Sequence, residues 1–414
     1  MATKSEKFFN RARFVFTGTP IFGKESIDTR KLSDTSEWSR TRLNFGVKAN
    51  NDTQFLNAEF MHSDKVKKVK LFSKDNESFE VNLCDTDNKD VLDKVADFSK
   101  ITVDLETDKE VKDNYYSLLF KIRNHEIKEE MTEEDIKKVA EYKEQIKEFS
   151  ANIKQFAHMK DVIDYISVNK ETISKHKIKV TGDVKVNYYN GKSRLNFVPK
   201  NFKLLVGDNI DEIKEELMVY MDIFFDRDSI DDDKKENKVY INGYVGETIK
   251  KADKLMPTQV IFDYSKANLE DERQKALVEF VKGFFEVKNK KALHRLPIIC
   301  QVINGAEIVE FDESQLTDKQ KTAIALGLAK LDDYKPKGNI FGERINFIRL
   351  IQPDLRLSPE GTLESIDLED LPSYLPSDDS DKKVEDMKVE NDKEDEKKDK
   401  EIDQSAMMRE LFGA

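Results

Sequence analysis

The sequence predicts a β-rich α+β protein: two oligonucleotide-binding-like (OB-like) five-stranded barrels in tandem, a helical spacer, a small α+β C-terminal part and a disordered acidic tail. Three observations carry this expectation. A short string recurs, Arg-Leu-Asn-Phe at 42–45 and at 194–197, with Arg-Ile-Asn-Phe at 344–347. The first two copies follow a Thr-Gly pair, Thr17-Gly18 and Thr181-Gly182, set among residues that favour strands. Side chains in a strand alternate between faces, so Leu43, Phe45 and Val47 share one face while Arg42, Asn44 and Lys48 share the other. The same alternation separates Leu195 and Phe197 from Arg194 and Asn196. Apolar residues beneath a strand, with a cation and an amide above it, point to a polyanion-binding surface rather than to an enzyme.

The first module is expected over residues 1–125, with strands near Phe14–Gly18, Thr41–Lys48, Thr53–His62, Lys67–Phe72, Ser78–Leu83 and Ile101–Leu105 and a short helix at Lys89–Phe98. Residues 126–175 read as a helical spacer. Thr132 stands three residues before Asp135, a capping-box spacing, and Ile136, Val139, Ile146, Phe149 and Ile153 keep a helical period after it. A second helix over Asp161–Thr172 carries Val162, Tyr165 and Ile166 on one side.

The second module, residues 176–265, opens with strands that alternate around Asn190-Gly191, a strong hairpin signal. Val184, Val186 and Tyr188 fall on its inner face, and Lys185, Asn187 and Tyr189 on its outer face with Arg194 and Asn196. Further strands at Met218–Phe225, Val239–Val245 and Gln259–Phe262 complete a small barrel of the oligonucleotide-binding kind, with a glycine coiling its first strand. Residues 266–352 alternate helix and strand, with helical faces marked by Leu277, Phe280, Val281 and Phe284 and by Ile324, Leu328 and Leu331. Strands are expected at Ile298–Ile303 and Arg344–Leu350, without a five-strand pattern that would make the third string a third barrel. Residues 353–414 are the tail. Between Ser377 and Gln404 thirteen acids and seven lysines leave too little apolar surface to fold, and Met407–Ala414 restores an apolar tip suited to docking a partner through Met407, Met408, Leu411 and Phe412.

Length suggests two or three domains for 414 residues. No apolar run approaches the ~18 to 20 residues of a spanning helix, and the first residues lack the apolar core of a secretory signal. Cys84 and Cys300 stand alone, so neither a disulfide framework nor a cysteine zinc site is expected, and a reducing cytoplasm is the expected location. The net charge of −12 is concentrated in the tail, where 20 acidic and 9 basic residues leave the first 352 residues at −1. The first fifty residues hold ten Lys and Arg against five Asp and Glu, so a basic region exists within a nearly neutral body.

Gly18 to Lys24 has the glycine and lysine spacing of a phosphate-binding loop, but Glu25 stands where a magnesium-binding hydroxyl is needed, and a β-turn is the expected alternative. Asp222, Asp226, Asp228, Asp231, Asp232 and Asp233 suggest divalent metal, yet their spacing does not fit a calcium loop, and a solvated hairpin loop is expected instead. His62, His125, His158, His176 and His294 show no ligand spacing. No cofactor or metal is expected. The aromatic and basic set fits single-stranded nucleic acid, which stacks bases on rings while cations follow its backbone. The candidates are Trp38, Arg40, Arg42, Asn44 and Lys48 on the first repeat, and Lys185, Tyr189, Lys192, Arg194 and Asn196 on the second.

The segments FTGTPIFGKES with WSRTRLNFGVK, and KVTGDVKVNYYNGKSRLNFVPKNFKLL, resemble phage-encoded single-stranded-DNA-binding replication proteins built on oligonucleotide-binding folds. The resemblance covers about the first 265 residues and the acidic tail. It implies a non-enzymatic, sequence-independent coat on single-stranded DNA during viral replication in the host cytoplasm. It also implies that the tail tip recruits a polymerase, helicase or primase. The spacer and the part after Ala267 depart from a minimal protein of that kind. A virion or assembly interaction protein and a metal-dependent nuclease are the other readings open to this sequence.

Overall fold

The structure, a computed structural model, describes residues 12–65, 67–128, 131–149, 152–189, 192–207, 209–249, 252–287, 289–309, 316–334, 340–354 and 363–376. The first part holds β1 (Arg13–Lys31), β2 (Trp38–Ala49), β3 (Asp52–Phe55), β4 (Ala58–Ser63), β5 (Lys68–Phe72), β6 (Ser78–Asn82), α1 (Lys89–Lys94) and β7 (Ile101–Asp104). Then come α2 (Lys109–Glu126), α3 (Glu133–Phe149), β8 (Ile153–Phe156), α4 (Met159–Val168) and α5 (Lys170–Ile173). The hairpin β9 (Ile178–Tyr189) and β10 (Lys192–Leu204) follows, then β11 (Glu216–Phe225), β12 (Ile230–Asp233), β13 (Lys238–Ile249) and β14 (Ala252–Asp263). The last elements are α6 (Glu272–Gly283), β15 (Ala292–Val309), α7 (Asp318–Ala325), β16 (Ile340–Pro353), β17 (Leu363–Asp367) and α8 (Leu371–Tyr374). Among the described residues, no helix is long and apolar enough to cross a membrane.

The protein is β-rich, and one set of strands closes into a five-stranded barrel. Its circuit runs β11, β13, β14, β16, β15 and back to β11. All neighbours are antiparallel except β14 and β16, which are parallel at Ile261 and Arg349. The expected second barrel differs from this in its membership. The closed circuit draws β15 and β16 from beyond residue 265, and the third string, at 344–347, sits on β16 inside it. The β9–β10 hairpin lies outside, because β9 pairs with β1 and β10 pairs in parallel with β7. Phe197 of the hairpin packs its ring 4.9 Å from Phe16 and 5.5 Å from Phe14, which draws the hairpin onto the first part.

The alternation expected within the repeats is present. Leu43, Phe45 and Val47 are fully buried, as are Val184, Val186 and Phe197, while Arg194 and Lys48 are exposed. One continuous apolar cluster runs from Phe14 and Phe45 through Val184 and Phe202 to Ile241, Met256, Leu296 and Leu350. Tyr189 pairs with Lys192 across the expected Asn190-Gly191 turn, whose two residues lie outside those described.

Gly18 and Gly182 share a structural cause. A Cβ on Gly18 would stand 2.1 Å from the Lys48 carbonyl oxygen, and one on Gly182 would stand 2.1 Å from that of Val198. In both copies the paired strand passes too close for a side chain. At Gly18, β1 passes from pairing with β9 to pairing with β2, up to Lys31. Gly18 to Lys24 is therefore extended strand and not the expected turn. The paired residues Phe22 and Phe45 explain this: their rings meet at 4.9 Å, and this apolar contact outweighs the local turn signals of Pro20 and Gly23.

The spacer is helical but also gives a strand to the sheet. Asp135 N–H donates to Thr132 Oγ1 and Thr132 N–H to Asp135 Oδ2, each at 3.2 Å, closing the expected capping box. The helix ends at Phe149, so Ile153 leaves its expected helical period and begins β8, which pairs with β7. Val162 and Ile166 of α4 enter the core.

Candidate functional site

Four long antiparallel strand pairs, the hairpins β1–β2, β9–β10 and β13–β14 and the pair β15–β16 joined through α7, surround a cleft of about 1520 Å³. Polar clasps join pairs distant in sequence. Asn57 N–H, between β3 and β4 where they pair with β2, donates to the Phe197 carbonyl at 2.8 Å and ties the first hairpin to the second. Glu247, almost fully buried, accepts the Val186 N–H at 3.0 Å and faces Lys185 Nζ at 3.4 Å, tying the second to the third. Asn304 N–H donates to Asp52 Oδ1 at 3.0 Å and its Nδ2 to the Thr53 carbonyl at 2.8 Å, tying the fourth back to the first. Burial raises the pKa of Asp52, opposed by that Asn304 N–H and by the charge of Arg349.

The cleft gathers the same residue from all three strings: Asn44, Asn196 and Asn346 line it. Arg40, Arg42 and Arg194 line it as well. Of the other sequence candidates, Trp38, Lys48 and Lys185 lie elsewhere. Trp38 is 39% exposed at the far end of β2, and Lys48 is exposed near the Gly18 crossing. Lys185 is occupied with Glu247. Tyr189 and Lys192 are placed by their backbone at the hairpin end, and their side chains lie outside what is described. The tail candidates Met407, Met408, Leu411 and Phe412 also lie outside the described residues.

Electrostatically the cleft is mixed. Lys24, Arg30, Arg40, Arg42 and Arg194 face Glu25, Asp28 and Glu59. Arg30 Nε lies 2.8 Å from Asp28 Oδ2, and Arg40 Nε 3.8 Å from Glu59 Oε2. Arg42 is paired in register with Asp28 on one side and Glu59 on the other. Burial lowers the Arg42 pKa, and the charges of Glu59 and Asp28 work against that shift. Lys24 and Arg194 form no ion pair among the described residues. Arg42 Nε and Ser193 Oγ are buried at the cleft without a hydrogen-bond partner among the described residues. Buried polar groups are rarely left unmatched, so both mark places where a ligand has something to offer.

Sequence reasoning missed much of the lining. Tyr188, expected on the inner face, is half-buried and packs against the core cluster, and it lines the cleft with Phe55, Tyr244 and Phe347. Asn242 accepts a hydrogen bond from Gln259 Nε2 at 2.8 Å across β13–β14. Phe55, Asn242 and Tyr244 belong to no string that sequence alone singles out, whereas Phe347 closes the third one. Asn346 did carry a signal, the third copy of the repeat.

Of the aspartates between 222 and 233, Asp222, Asp226 and Asp232 make structural contacts. Asp222 takes both Nε and a terminal nitrogen of Arg295. Asp226 caps a short 3-10 turn through Ser229 N–H at 2.9 Å, and Asp232 Oδ2 lies 3.1 Å from Lys282 Nζ. Leu375 and Pro376, the last described residues, also reach the cleft rim, where Lys254 Nζ donates to the Ser373 and Leu375 carbonyls at 3.1 and 3.2 Å.

No protein-family model matches the chain, and no curated protein matches it.

Proposed function

We propose that the cleft binds single-stranded nucleic acid without sequence selection, as a replication protein coating exposed DNA would. The observation that carries this reading is the composition of the cleft wall. The second and third strands of the closed barrel, β13 and β14, turn Asn242, Tyr244, Thr258 and Gln259 toward the same space as the repeat residues Arg42, Asn44, Arg194 and Asn196. The circuit order supports an OB-like barrel, since its third and fifth strands are parallel and α6 lies between the third and fourth. In such barrels the face of strands two and three is the usual oligonucleotide platform. The cleft is also larger than the ~300 to 1,000 Å³ of most small-molecule sites, which suits an extended polymer. The half-buried tyrosine and phenylalanine rings of the cleft wall offer stacking worth ~1 to 3 kcal/mol per base.

Within this reading the acidic tail acts as an internal competitor. Leu375 and Pro376 line the same cleft as the cations, and the acid-rich segment follows them in the sequence. Displacement by DNA would free the tip for replication partners.

The test is anisotropy titration of a labelled oligo-dT of about 30 nucleotides and of the matching duplex, with the intact chain, Arg194→Ala and a chain ending at Leu375. Single-strand preference, weakened by Arg194→Ala and strengthened by truncation, supports the reading. Absence of single-strand binding at low salt by both the intact and the shortened chain overturns it.

A further inference from the structure

The charges lining the cleft are too few and too well paired for a groove that works chiefly by gripping phosphates. Five cations face three carboxylates, and only Lys24 and Arg194 lack an ion pair or a flanking acid. Amides are the commonest polar group instead, nine in all. Several are fixed in place: Asn44 Nδ2 donates to the Glu25 carbonyl at 3.0 Å, and Gln259 is bonded to Asn242. Asn187, Asn196 and Asn346 make no side-chain hydrogen bond among the described residues, and they face the cleft from two strand pairs.

An amide carries a donor and an acceptor side by side. Each of the four bases also carries an adjacent donor and acceptor on its pairing edge, which an amide can match by reorienting its side chain. In a duplex those edges are already occupied. We propose that Asn187, Asn196 and Asn346 bind unpaired bases by their pairing edges, with the strand's phosphates turned largely to solvent. This rests on the reading of the cleft as a single-strand site. It accounts for discrimination against duplex and for tolerance of sequence by the same groups, and it assigns the third string a role through Asn346.

Two consequences distinguish this mode from a basic groove. The slope of log affinity against log salt for single strands is ~0.7 per neutralised phosphate, so two free cations give about −1.4 where five would give about −3.5. Blocking the pairing edge should also weaken binding although stacking and charge are kept. The experiment compares oligo-dT with an oligonucleotide of the same length made of N3-methylthymidine, titrated into the intact chain and into Asn196→Ala/Asn346→Ala. The intact chain is expected to bind the methylated strand about tenfold more weakly, as the loss of a two-point base contact would bring. The double variant is expected to bind oligo-dT more weakly than the intact chain does and to distinguish the two strands less, since Asn187 alone remains to meet a pairing edge. Equal affinity of the intact chain for the two strands, or a slope near −3.5, overturns the edge-binding mode while leaving single-strand binding in place. Binding of neither strand overturns the functional reading itself. Should the double variant fail to fold, the comparison of the two strands on the intact chain still decides.

Discussion

Lys112 is a buried cation whose loss should be felt. It is 3% exposed on α2, its Nζ donates to the Leu204 carbonyl at 2.6 Å, and it stands 3.2 Å from Asp104 Oδ1. Asp104 is fully buried and also accepts Tyr116 O–H at 2.8 Å and Glu106 N–H at 3.1 Å. Replacing Lys112 by methionine keeps most of the packing and removes the cation. Breaking a buried pair on one side costs ~3 to 5 kcal/mol, and the two remaining donors to Asp104 place the expected loss near about 3 kcal/mol. Asn in place of Asp104 in the same chain removes the stranded charge, so Lys112→Met/Asp104→Asn should be more stable than Lys112→Met alone. Urea unfolding followed by far-UV circular dichroism and by the single tryptophan, Trp38, measures both. Burial lowers the Lys112 pKa, so below its ordinary value of 10.5 the unfolded chain holds this proton more tightly than the native one. The wild type should therefore gain stability as pH rises through that window, and Lys112→Met should lack the gain. An unchanged midpoint for Lys112→Met would refute the argument.

Gly182→Ala should destabilise by ~1 to 3 kcal/mol or more, because its methyl meets the backbone carbonyl of Val198 at 2.1 Å, and thermal unfolding would register it as a lowered Tm. The Asp135 carboxyl is held well below the usual carboxylate range, first by Lys128 and then by Thr132 and His125. Its contribution is therefore complete above the ordinary carboxylate value and is lost as pH falls through the depressed native one. Comparing helical signal at pH about 5 and about 3, Asp135→Asn should show a shallower acid loss than the wild type.

Local patterns were legible in the sequence because local physics decides them. Alternation placed Leu43, Phe45 and Val47 inside and Arg42 and Asn44 toward the cleft. Thr132 and Asp135 announced a helix start that the hydrogen bonds complete. What the sequence concealed depends on distant partners. The continuation of β1 past Gly18 needs β2, and the course of β9 is decided by β1, more than 160 positions earlier. The contact of Asn304 with Asp52 spans 252 positions. No periodicity records such meetings, so half of the wall, including Asn242, Tyr244 and Asn304, had no motif to reveal it.

The interlocked origin of the five-stranded barrel bears on how the chain can be divided. A polypeptide ending near residue 265 would keep β11, β13 and β14 but forfeit two staves of the barrel. Eight registered positions from Met218 to Phe225 would lose their β15 partners, and β14 its parallel contact with β16, leaving two raw edges beside a core stripped of Leu296, Ile298, Cys300, Val302 and Leu350. Open edges of that kind recruit strands from neighbouring chains. Such a fragment should come out of expression as aggregates or as strand-exchanged oligomers, while the missing strands supplied in trans should cure it.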